Sequence, residues 1–191
     1  MKLTELVGVK QDLATASYTD VLQQKGFAAL GSGSFATVWA HPDLDYVLKT
    51  FKASDTSYLE WLAACRSNQQ NLFIPQFISP KPVKVVPGIL AIRMEKLTPA
   101  SAAAKPILDK LEDVINEVTI EADQPTSSTR TISRIIKESY PALADYAAAN
   151  KGLIPAISLI ADIINNGSGV NDLNVSNIMM RGQQMVFTDP V

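Results

Sequence analysis

Apolar and polar residues alternate through much of the first half of the chain, a pattern typical of β-strands that bury one face. Residues 27–51 predict three strands, separated by a glycine-rich turn and by the turn His41-Pro42-Asp43. Residues 83–86 and 89–94 predict two more strands around a Pro-Gly turn. The N-terminal half is therefore expected to be rich in antiparallel strands.

Two helices are predicted beside these strands. Ser17 is a suitable N-cap for a short amphipathic helix, because an acidic residue stands at the third helical position and Gly26 can end the helix. A second helix is predicted from about Thr56 to Arg66.

Helical spacing replaces alternation in the second half of the chain. The predicted helices cover residues 101–121, 132–137, 142–149 and 153–164. A short hairpin with strands at 178–180 and 185–188 follows them. The pattern predicts an α+β, two-lobed protein with a helical extension (1–25), an antiparallel β-rich N-terminal lobe (26–97) and a mostly helical C-terminal lobe (98–191).

Composition narrows the class of protein. A formal net charge of −2 argues against non-specific nucleic-acid binding, which depends on many cationic contacts. The longest apolar stretch, residues 153–164, is shorter than the roughly 20 residues that cross a bilayer. One cysteine, Cys65, permits no internal disulfide, and one histidine, His41, excludes a Ser-His-Asp triad. We expect a cytoplasmic protein without nucleic-acid or membrane partners; the sequence does not indicate an oligomeric state.

The most informative polar residues lie near the C-terminal end. Asp172 is followed five residues later by Asn177, and Asp189 comes a dozen residues further on. In a phosphoryl-transfer site the first Asp can orient or deprotonate a hydroxyl, while an Asn and a second Asp supply oxygen ligands for Mg²⁺. The predicted hairpin after Asn177 would bring Asn177 and Asp189 to the same end. Alternatively, these residues only cap turns.

A glycine-rich segment lies between the first two predicted strands, with the sequence Gly31-Ser32-Gly33-Ser34-Phe35-Ala36-Thr37-Val38. Glycines there let the backbone approach a triphosphate, and backbone N–H groups can face its oxygens. It is neither a dinucleotide-binding fingerprint nor a P-loop, because a strand follows it and no Lys-Ser/Thr pair does. A simple turn is the more common role of such a hairpin.

Lys49 interrupts an apolar strand on the face that it shares with Val47. A buried lysine needs anionic company, which nucleotide phosphates would supply. A strand-edge lysine with its amine in solvent is the alternative. Glu60, on the following helix, is the nearest acidic candidate for an ion pair with Lys49, although it could equally lie on a solvated helix face.

In order and approximate spacing these motifs match the protein-kinase signature: Gly-x-Gly-x-Phe-x-x-Val, a strand lysine, Asp-x-x-x-x-Asn and a strand-terminal Asp. The chain more closely resembles the early serine/threonine protein kinase of T-seven-like podophages. That resemblance rests on Gly26-Phe27-Ala28-Ala29-Leu30-Gly31-Ser32-Gly33-Ser34-Phe35, Trp39-Ala40-His41-Pro42, Asn177-Ile178-Met179 and Thr188-Asp189-Pro190-Val191. It is strongest at these two ends of the chain and weak between Pro99 and Asn150.

The resemblance implies a protein-kinase-like fold and Mg²⁺-dependent transfer of phosphate from ATP to Ser or Thr of host bacterial proteins. It further implies that the hairpin Gly31–Phe35 covers the phosphates, that Val38 contacts the nucleotide, that Lys49 holds the phosphates, and that Asp172 is the catalytic base. Asn177 and Asp189 would be the metal ligands. The backbone of the hinge Met94-Glu95-Lys96-Leu97 would bind adenine.

The chain also departs from the kinase pattern. Val170-Asn171 replaces the usual His-Arg before the catalytic Asp, so the arginine that would bind an activation-loop phosphate is missing, and on this resemblance no control by such a phosphate is expected. The helical lobe is expected to be truncated, since the sequence stops at Val191, and a minimal kinase and a shortened form of a longer protein both remain open. The alternative functions are a small-molecule kinase of the aminoglycoside-phosphotransferase type and a kinase-like ATP-binding module that acts on a host partner without catalysis.

Overall fold

The computed structural model describes residues 17–100, 104–119 and 125–191. The chain divides into two units. The first contains the chain up to Asp55 together with Gln76–Lys96, and the second contains Thr56–Pro75 and Leu97–Val191. The change of unit after Lys96 lies one residue before the boundary expected from the sequence.

Five antiparallel strands form the sheet of the first unit. They are β1 (Ala28–Ser32), β2 (Ala36–Ala40), β3 (Tyr46–Lys52), β4 (Val83–Val86) and β5 (Ile89–Glu95). Their order across the sheet is β1-β2-β3-β5-β4, which makes β3 the central strand. The structure therefore confirms the antiparallel β-rich N-terminal region that the alternation predicts.

The helix α1 (Tyr18–Gln24) precedes the sheet and contributes to its core. The Thr19 N–H donates to the Ser17 side chain, so Ser17 is the predicted N-cap. Gly26 follows the helix with φ of +86°, and a Cβ there would lie 2.7 Å from Nε2 of His41. Glycine is thus required at this turn by both conformation and space. The core beneath α1 is formed by Leu22, Phe27, Trp39, Leu48 and Ala91.

The second unit is mainly helical. Its helices are α2 (Thr56–Ser67), α3 (Lys105–Val118), α4 (Thr129–Ser139), α5 (Pro141–Ala149) and α6 (Leu153–Asn165). A small antiparallel sheet of β6 (Thr98–Pro99), β7 (Ile178–Arg181) and β8 (Gln184–Phe187) completes it. The α+β class is confirmed. The outer parts of the first helix predicted for this half, 101–103 and 120–121, lie outside the described residues.

Helix α2 belongs to the second unit, whereas the sequence-based division groups it with the strands. Its buried residues are Tyr58, Trp61, Leu62 and Cys65. The helix packs against α6, whose apolar residues are almost all buried. Because its apolar face is used in the helical core, α2 follows the helices and not the strand that precedes it in sequence.

The junction between α4 and α5 is tied to α3 by a tyrosine. The hydroxyl of Tyr140 donates to Oε2 of Glu117 at 3.1 Å. Burial, and then the hydrogen bond to Glu117, raise the pKa of Tyr140 to about 12. The hydroxyl therefore stays protonated, and able to donate, at neutral pH.

The start of α6 depends on close packing around Gly152. Asn71 donates from Nδ2 to the Gly152 carbonyl at 2.9 Å and accepts from the Phe73 N–H at 2.9 Å. A Cβ at Gly152 would lie 2.7 Å from Oδ1 of Asn71 and 3.3 Å from the Phe73 ring. Gly152 is therefore held by space, since its φ of −78° is open to any residue.

We expect Gly152→Ala to lower the free energy of unfolding by about 1–3 kcal/mol, because the added methyl group overpacks this contact. Urea denaturation measures the change. In a double-mutant cycle with Asn71→Ala the two losses should be less than additive, because the smaller residue at 71 removes the atom that the methyl group meets. Fully additive losses would contradict this explanation.

No single helix among the described residues is long and apolar enough to cross a membrane. Helices α5 and α6 reach that length and hydropathy only when counted together, across a bend of 111°.

Candidate active site

Three of the predicted nucleotide-contacting residues form one row across the sheet of the first unit. Gly31 of β1 lies opposite Val38 of β2, and Val38 lies opposite Lys49 of β3. Directly opposite residues in antiparallel strands project to the same face of a sheet. Met94 is on that face too, since it pairs with Val47, two residues before Lys49. On this face Lys49 lies among apolar side chains; Lys84 of β4, which pairs with Leu90 opposite Phe51, is on the same face but exposed.

Lys49 is buried, with 5% of its surface exposed. Every residue of β3 is buried except Lys52 at its end. The strand-edge interpretation of Lys49, in which its amine lies in solvent, does not fit this burial. A lysine taken out of water in this way is stabilised by anions near its amine, so the position suits a phosphate-binding cation.

The glycine-rich hairpin is closed by its own hydrogen bonds. The Gly33 N–H donates to the Ala36 carbonyl at 2.8 Å, and the hydroxyls of Ser32 and Thr37 lie 3.0 Å apart across the strands. A Cβ at Gly31 or Gly33 would meet nothing within 4 Å, and neither glycine has a positive φ. The glycines therefore leave space above the hairpin and do not provide an unusual backbone conformation.

Two N–H groups of this hairpin remain for an anion. Among the backbone hydrogen bonds of the described residues, none has the N–H of Ser34 or Phe35 as its donor. Fewer N–H groups are therefore available to bind phosphate than the glycine pattern suggests, because the Gly33 N–H donates within the hairpin. Two adjacent N–H groups at a turn can still bind phosphate oxygens.

Phe35 is prominent at the tip of the hairpin, with 57% of its surface exposed. The Lys52 amine lies 5.0 Å from the centre of the Phe35 ring, and the Lys52 N–H donates to the Phe35 carbonyl at 2.9 Å. These contacts fix the base of the loop to β3. An exposed ring held in this way is available to cover a ligand, as predicted for Phe35.

The predicted hinge lies where the chain passes from the first unit to the second. Met94 is buried, and Glu95 ends β5. The Glu95 N–H donates to the Gln76 carbonyl at 2.9 Å, and its carboxylate accepts from the Gln76 N–H at 2.7 Å. Leu97 is half-buried and begins the second unit. Adenine binding by this backbone stays a prediction.

Glu60 lies on the exposed side of α2, in the second unit. The buried residues of that helix face the helical core instead. This exposure fits the interpretation of Glu60 as part of a solvated helix face. The ion pair with Lys49 stays a prediction.

In the second unit, Asp172 is held by two asparagine side chains. Nδ2 of Asn174 donates to Oδ1 of Asp172 at 2.8 Å and to its carbonyl oxygen at 3.1 Å. Nδ2 of Asn177 donates to Oδ2 of Asp172 at 2.8 Å and to the same carbonyl at 2.8 Å. We call this arrangement the amide clamp. It fixes the carboxylate of an exposed residue in one orientation, with a donor on each oxygen.

The loop that carries Asp172 is anchored on both sides. Leu173 is buried, and its N–H donates to Oδ1 of Asn171 at 3.1 Å. Nδ2 of Asn171 in turn donates to Oδ1 of Asn116 on α3 at 2.7 Å. Asn171, which stands where most kinases have Arg, therefore links the loop to a helix.

The β7–β8 hairpin brings Asn177 to the segment that contains Asp189. The Asn177 carbonyl accepts from the N–H and from the hydroxyl of Thr188, both at 2.9 Å. The Asp172 N–H donates to the Pro190 carbonyl at 3.1 Å. The convergence of Asp172, Asn177 and Asp189 that the hairpin pattern predicts is thus present in the second unit.

The side-chain oxygens of Asn177 and Asp189 are suitable ligands for Mg²⁺. Both donor bonds of the Asn177 amide nitrogen go to Asp172, so its Oδ1 is the atom directed away from the clamp. An amide oxygen and one carboxylate are hard ligands, and Mg²⁺ usually adds substrate phosphates and water to such a set. Within residues 17–100, 104–119 and 125–191 no group of three or more His, Cys, Asp and Glu could hold a metal. Binding of Mg²⁺ by Asn177 and Asp189 stays a prediction.

Sequence reasoning missed two residues of this arrangement, Asn174 and Thr188. Besides holding Asp172, Asn174 accepts at Oδ1 from the Ser176 N–H at 2.9 Å, which caps the single 3₁₀ turn Val175–Asn177. Asx residues two positions before a turn commonly cap it, so the pattern carried a signal for the cap. No local pattern indicated that the same side chain also reaches the Asp172 carboxylate.

Comparison with known proteins adds little to this geometry. No protein-family model matches the chain, and no curated protein matches it. Among solved structures the chain is similar to one described as the streptomycin-ATP-APH(2")-IIa ternary complex, with 15% sequence identity and a TM-score of 0.35. The match covers 94% of this chain and 71% of that chain. A likeness this distant assigns neither an activity nor a substrate to the present chain.

Proposed function

We propose that this chain is a protein-kinase-like phosphotransferase that binds ATP and transfers its γ-phosphoryl group to a Ser or Thr hydroxyl of a protein. The observation that carries the proposal is the amide clamp on Asp172, together with the bonds that join Asn177 to the Thr188–Asp189 segment. A phosphoryl-transfer site needs one oriented carboxylate for the acceptor and separate oxygen ligands for a metal.

In this proposal Asp172 orients the acceptor hydroxyl and accepts its proton. Its carboxylate is exposed, so an acceptor can reach it, and each oxygen keeps a lone pair beyond the one used by the clamp. Because the clamp fixes the carboxylate before the acceptor arrives, little reorganisation is needed during transfer.

Asn177 and Asp189 would hold the metal through their side-chain oxygens. When bound, Mg²⁺ supplies positive charge that neutralises the nucleotide phosphates. Thr188 fixes the backbone of Asn177, because its N–H and its hydroxyl both donate to the Asn177 carbonyl, so the same hairpin positions the two ligands.

The first unit supports the same function through its sheet face. Lys49 would bind phosphate oxygens, and the apolar surface of Val38 and Met94 would contact the base, because nucleotide sites combine apolar walls with a few polar groups. The N–H groups of Ser34 and Phe35 would complete the phosphate contacts. The resemblance to the phage kinases points to host bacterial proteins as acceptors.

A panel of acceptors tests the proposed function. The purified chain is incubated with γ-labelled ATP, Mg²⁺ and, in separate reactions, bacterial lysate protein, an aminoglycoside or no acceptor. We expect label on Ser and Thr of protein, identified by phosphoamino-acid analysis. Label on the aminoglycoside alone would favour a small-molecule kinase, and ATP binding without transfer to any acceptor would favour a non-catalytic module.

Asp189→Asn is expected to weaken ATP binding by about 10- to 100-fold when Mg²⁺ is present and to leave it unchanged when Mg²⁺ is absent. The reason is that the neutral amide is a poorer ligand than the carboxylate, whereas Asp189 itself would not touch the nucleotide. Calorimetric titration of ATP with and without Mg²⁺ measures both affinities. Asp162→Asn, at an exposed position on α6, is the matched control. Equal weakening in both conditions would contradict a metal-binding role.

A further inference from the structure

The outer face of α4 carries a row of cations that the proposed function does not use. Arg130, Arg134 and Lys137 are exposed and stand four and three residues apart, so they follow one another along one side of the helix. The buried residues of α4, Ile132 and Ile136, lie on the opposite side. We call Arg130, Arg134 and Lys137 the basic stripe.

Within residues 17–100, 104–119 and 125–191, none of the three cations of the basic stripe forms a salt bridge. Glu138 stands four residues after Arg134, but an acid placed C-terminal to its base is the weaker arrangement for a helical pair. The stripe therefore concentrates positive charge on one side of α4 in a chain of net charge −2.

The surface along the stripe is concave. Arg130, Ser133, Arg134, Lys137 and Glu138 line an open depression of about 340 Å³. Ser133, half-buried at its floor, adds a neutral hydroxyl that can donate to an anion. The depression therefore offers cationic side chains and a hydroxyl to a ligand lying along the helix.

The dimensions of the stripe fit a short acidic peptide. From Arg130 to Lys137 the helix rises about 10 Å, at about 1.5 Å per residue. An extended peptide covers that length in about three residues and places alternate side chains about 6.6 Å apart. The rise from Arg130 to Arg134 is about 6 Å. Two acidic residues at alternate positions of an extended segment would therefore face Arg130 and Arg134, and Lys137, about 4.5 Å further along the helix, lies beside the second of them.

Nucleic acid fits the same surface less well. Strong phosphate-backbone binding uses about 6–10 cationic contacts, whereas the stripe offers three. Single-stranded nucleic acid also requires aromatic side chains on which bases stack, and the depression is lined by none. We propose that the basic stripe on α4 is a docking surface for an acidic segment of a protein partner, which it binds in extended form.

Fluorescence anisotropy of labelled peptides tests this docking surface on the full chain. The probe is a fluorescein-labelled peptide with Glu at every second position, and the reference peptide carries Gln at those positions. We expect the Glu peptide to bind, its affinity to fall with added salt, and the double variant Arg130→Gln/Arg134→Gln to bind about tenfold more weakly. Circular dichroism verifies that the variant is folded.

Two further variants make the result specific. Arg66→Gln/Lys151→Gln removes the same charge from exposed positions elsewhere in the second unit, and it should bind the Glu peptide like the wild type. Arg130→Lys/Arg134→Lys keeps the charge and should retain most of the binding even if the Gln variant is unstable. The proposal is overturned if the Glu peptide does not bind or if the Gln peptide binds equally well. It is also overturned if Arg66→Gln/Lys151→Gln loses as much affinity as Arg130→Gln/Arg134→Gln, or if a labelled oligo-dT binds more tightly than the Glu peptide.

Discussion

Asp172→Asn is expected to slow phosphoryl transfer by about 10²–10⁴-fold, the range typical of a lost general base. The substitution keeps the size of the side chain and removes the group that accepts the proton of the acceptor hydroxyl. The initial rate of label transfer from γ-labelled ATP to protein measures the effect. Asp145→Asn, on the exposed side of α5, provides a matched control and should transfer at the wild-type rate.

The amide clamp makes this substitution less simple than an exchange of charge. Both carboxylate oxygens of Asp172 accept from amide nitrogens, one from Asn174 and one from Asn177. An Asn at 172 has only one oxygen, so its nitrogen must face another donor unless Asn174 or Asn177 turns around. If Asn177 turns, its oxygen leaves the metal side, and the single variant would then lose Mg²⁺-dependent ATP affinity as well as transfer.

The double variant Asp172→Asn/Asn174→Asp separates these two effects. The carboxylate at 174 can accept from the new amide at 172, although it loses the bond that Nδ2 of Asn174 donates to the carbonyl of residue 172. Asn177 can then keep its orientation. We expect this variant to bind Mg·ATP like the wild type and to remain as slow in transfer as the single variant. Recovery of transfer in the double variant would contradict the assignment of Asp172 as the base.

Lys49→Met is expected to weaken ATP binding by about 10- to 100-fold and to reduce transfer at least as much, since a charge-assisted hydrogen bond contributes about 1.5–3 kcal/mol. Methionine approximates the length of the buried side chain and removes only the amine, so the sheet face stays filled. Lys84→Met, at an exposed position of β4 in the same sheet, is the control. Calorimetry gives the affinity, and urea denaturation verifies the fold.

Wild-type affinity in folded Lys49→Met would mean that the buried lysine serves the structure alone. Loss of affinity in Lys84→Met to the same degree would mean that the effect comes from net charge. Loss in Lys49→Met alone is the result that a phosphate-binding lysine requires.

The strands of the first unit could be predicted because alternation and turn residues agree there. Lys49 is the informative exception, since a charged residue in an apolar strand predicts either an edge lysine or a binding site, and its 5% exposure does not fit an amine in solvent. Its role in phosphate binding stays a prediction. The alignment of Gly31, Val38 and Lys49 in one row was not predictable, because it depends on a register shift between Ala29 and Gly31 in β1. Such an irregularity depends on pairing with the neighbouring strand, which a single sequence does not reveal.

The loop that carries Asp172 was predictable in part. The hairpin after Asn177 could be recognised from its alternation, and with it the approach of Asn177 to the Thr188–Asp189 segment. The role of Asn174 could not be recognised, because Asn in a turn most often bonds only to nearby backbone. Local sequence patterns also could not show that α2 belongs to the second unit. Its apolar face could pack against the strands or against the helices, and only the tertiary structure shows that it packs against α6.

The most direct test of the phosphotransferase account is a single-turnover reaction with the protein acceptor found in the panel, in which ADP formation and labelled acceptor are measured together. The wild-type chain with Mg²⁺ should produce the two in equal amounts, and Asp172→Asn/Asn174→Asp, purified in the same way, should produce neither at a comparable rate. Equal labelling by that variant would contradict the assignment of Asp172 as the base. ADP formation without labelled acceptor in the wild type would contradict phosphoryl transfer to protein as the function of this chain.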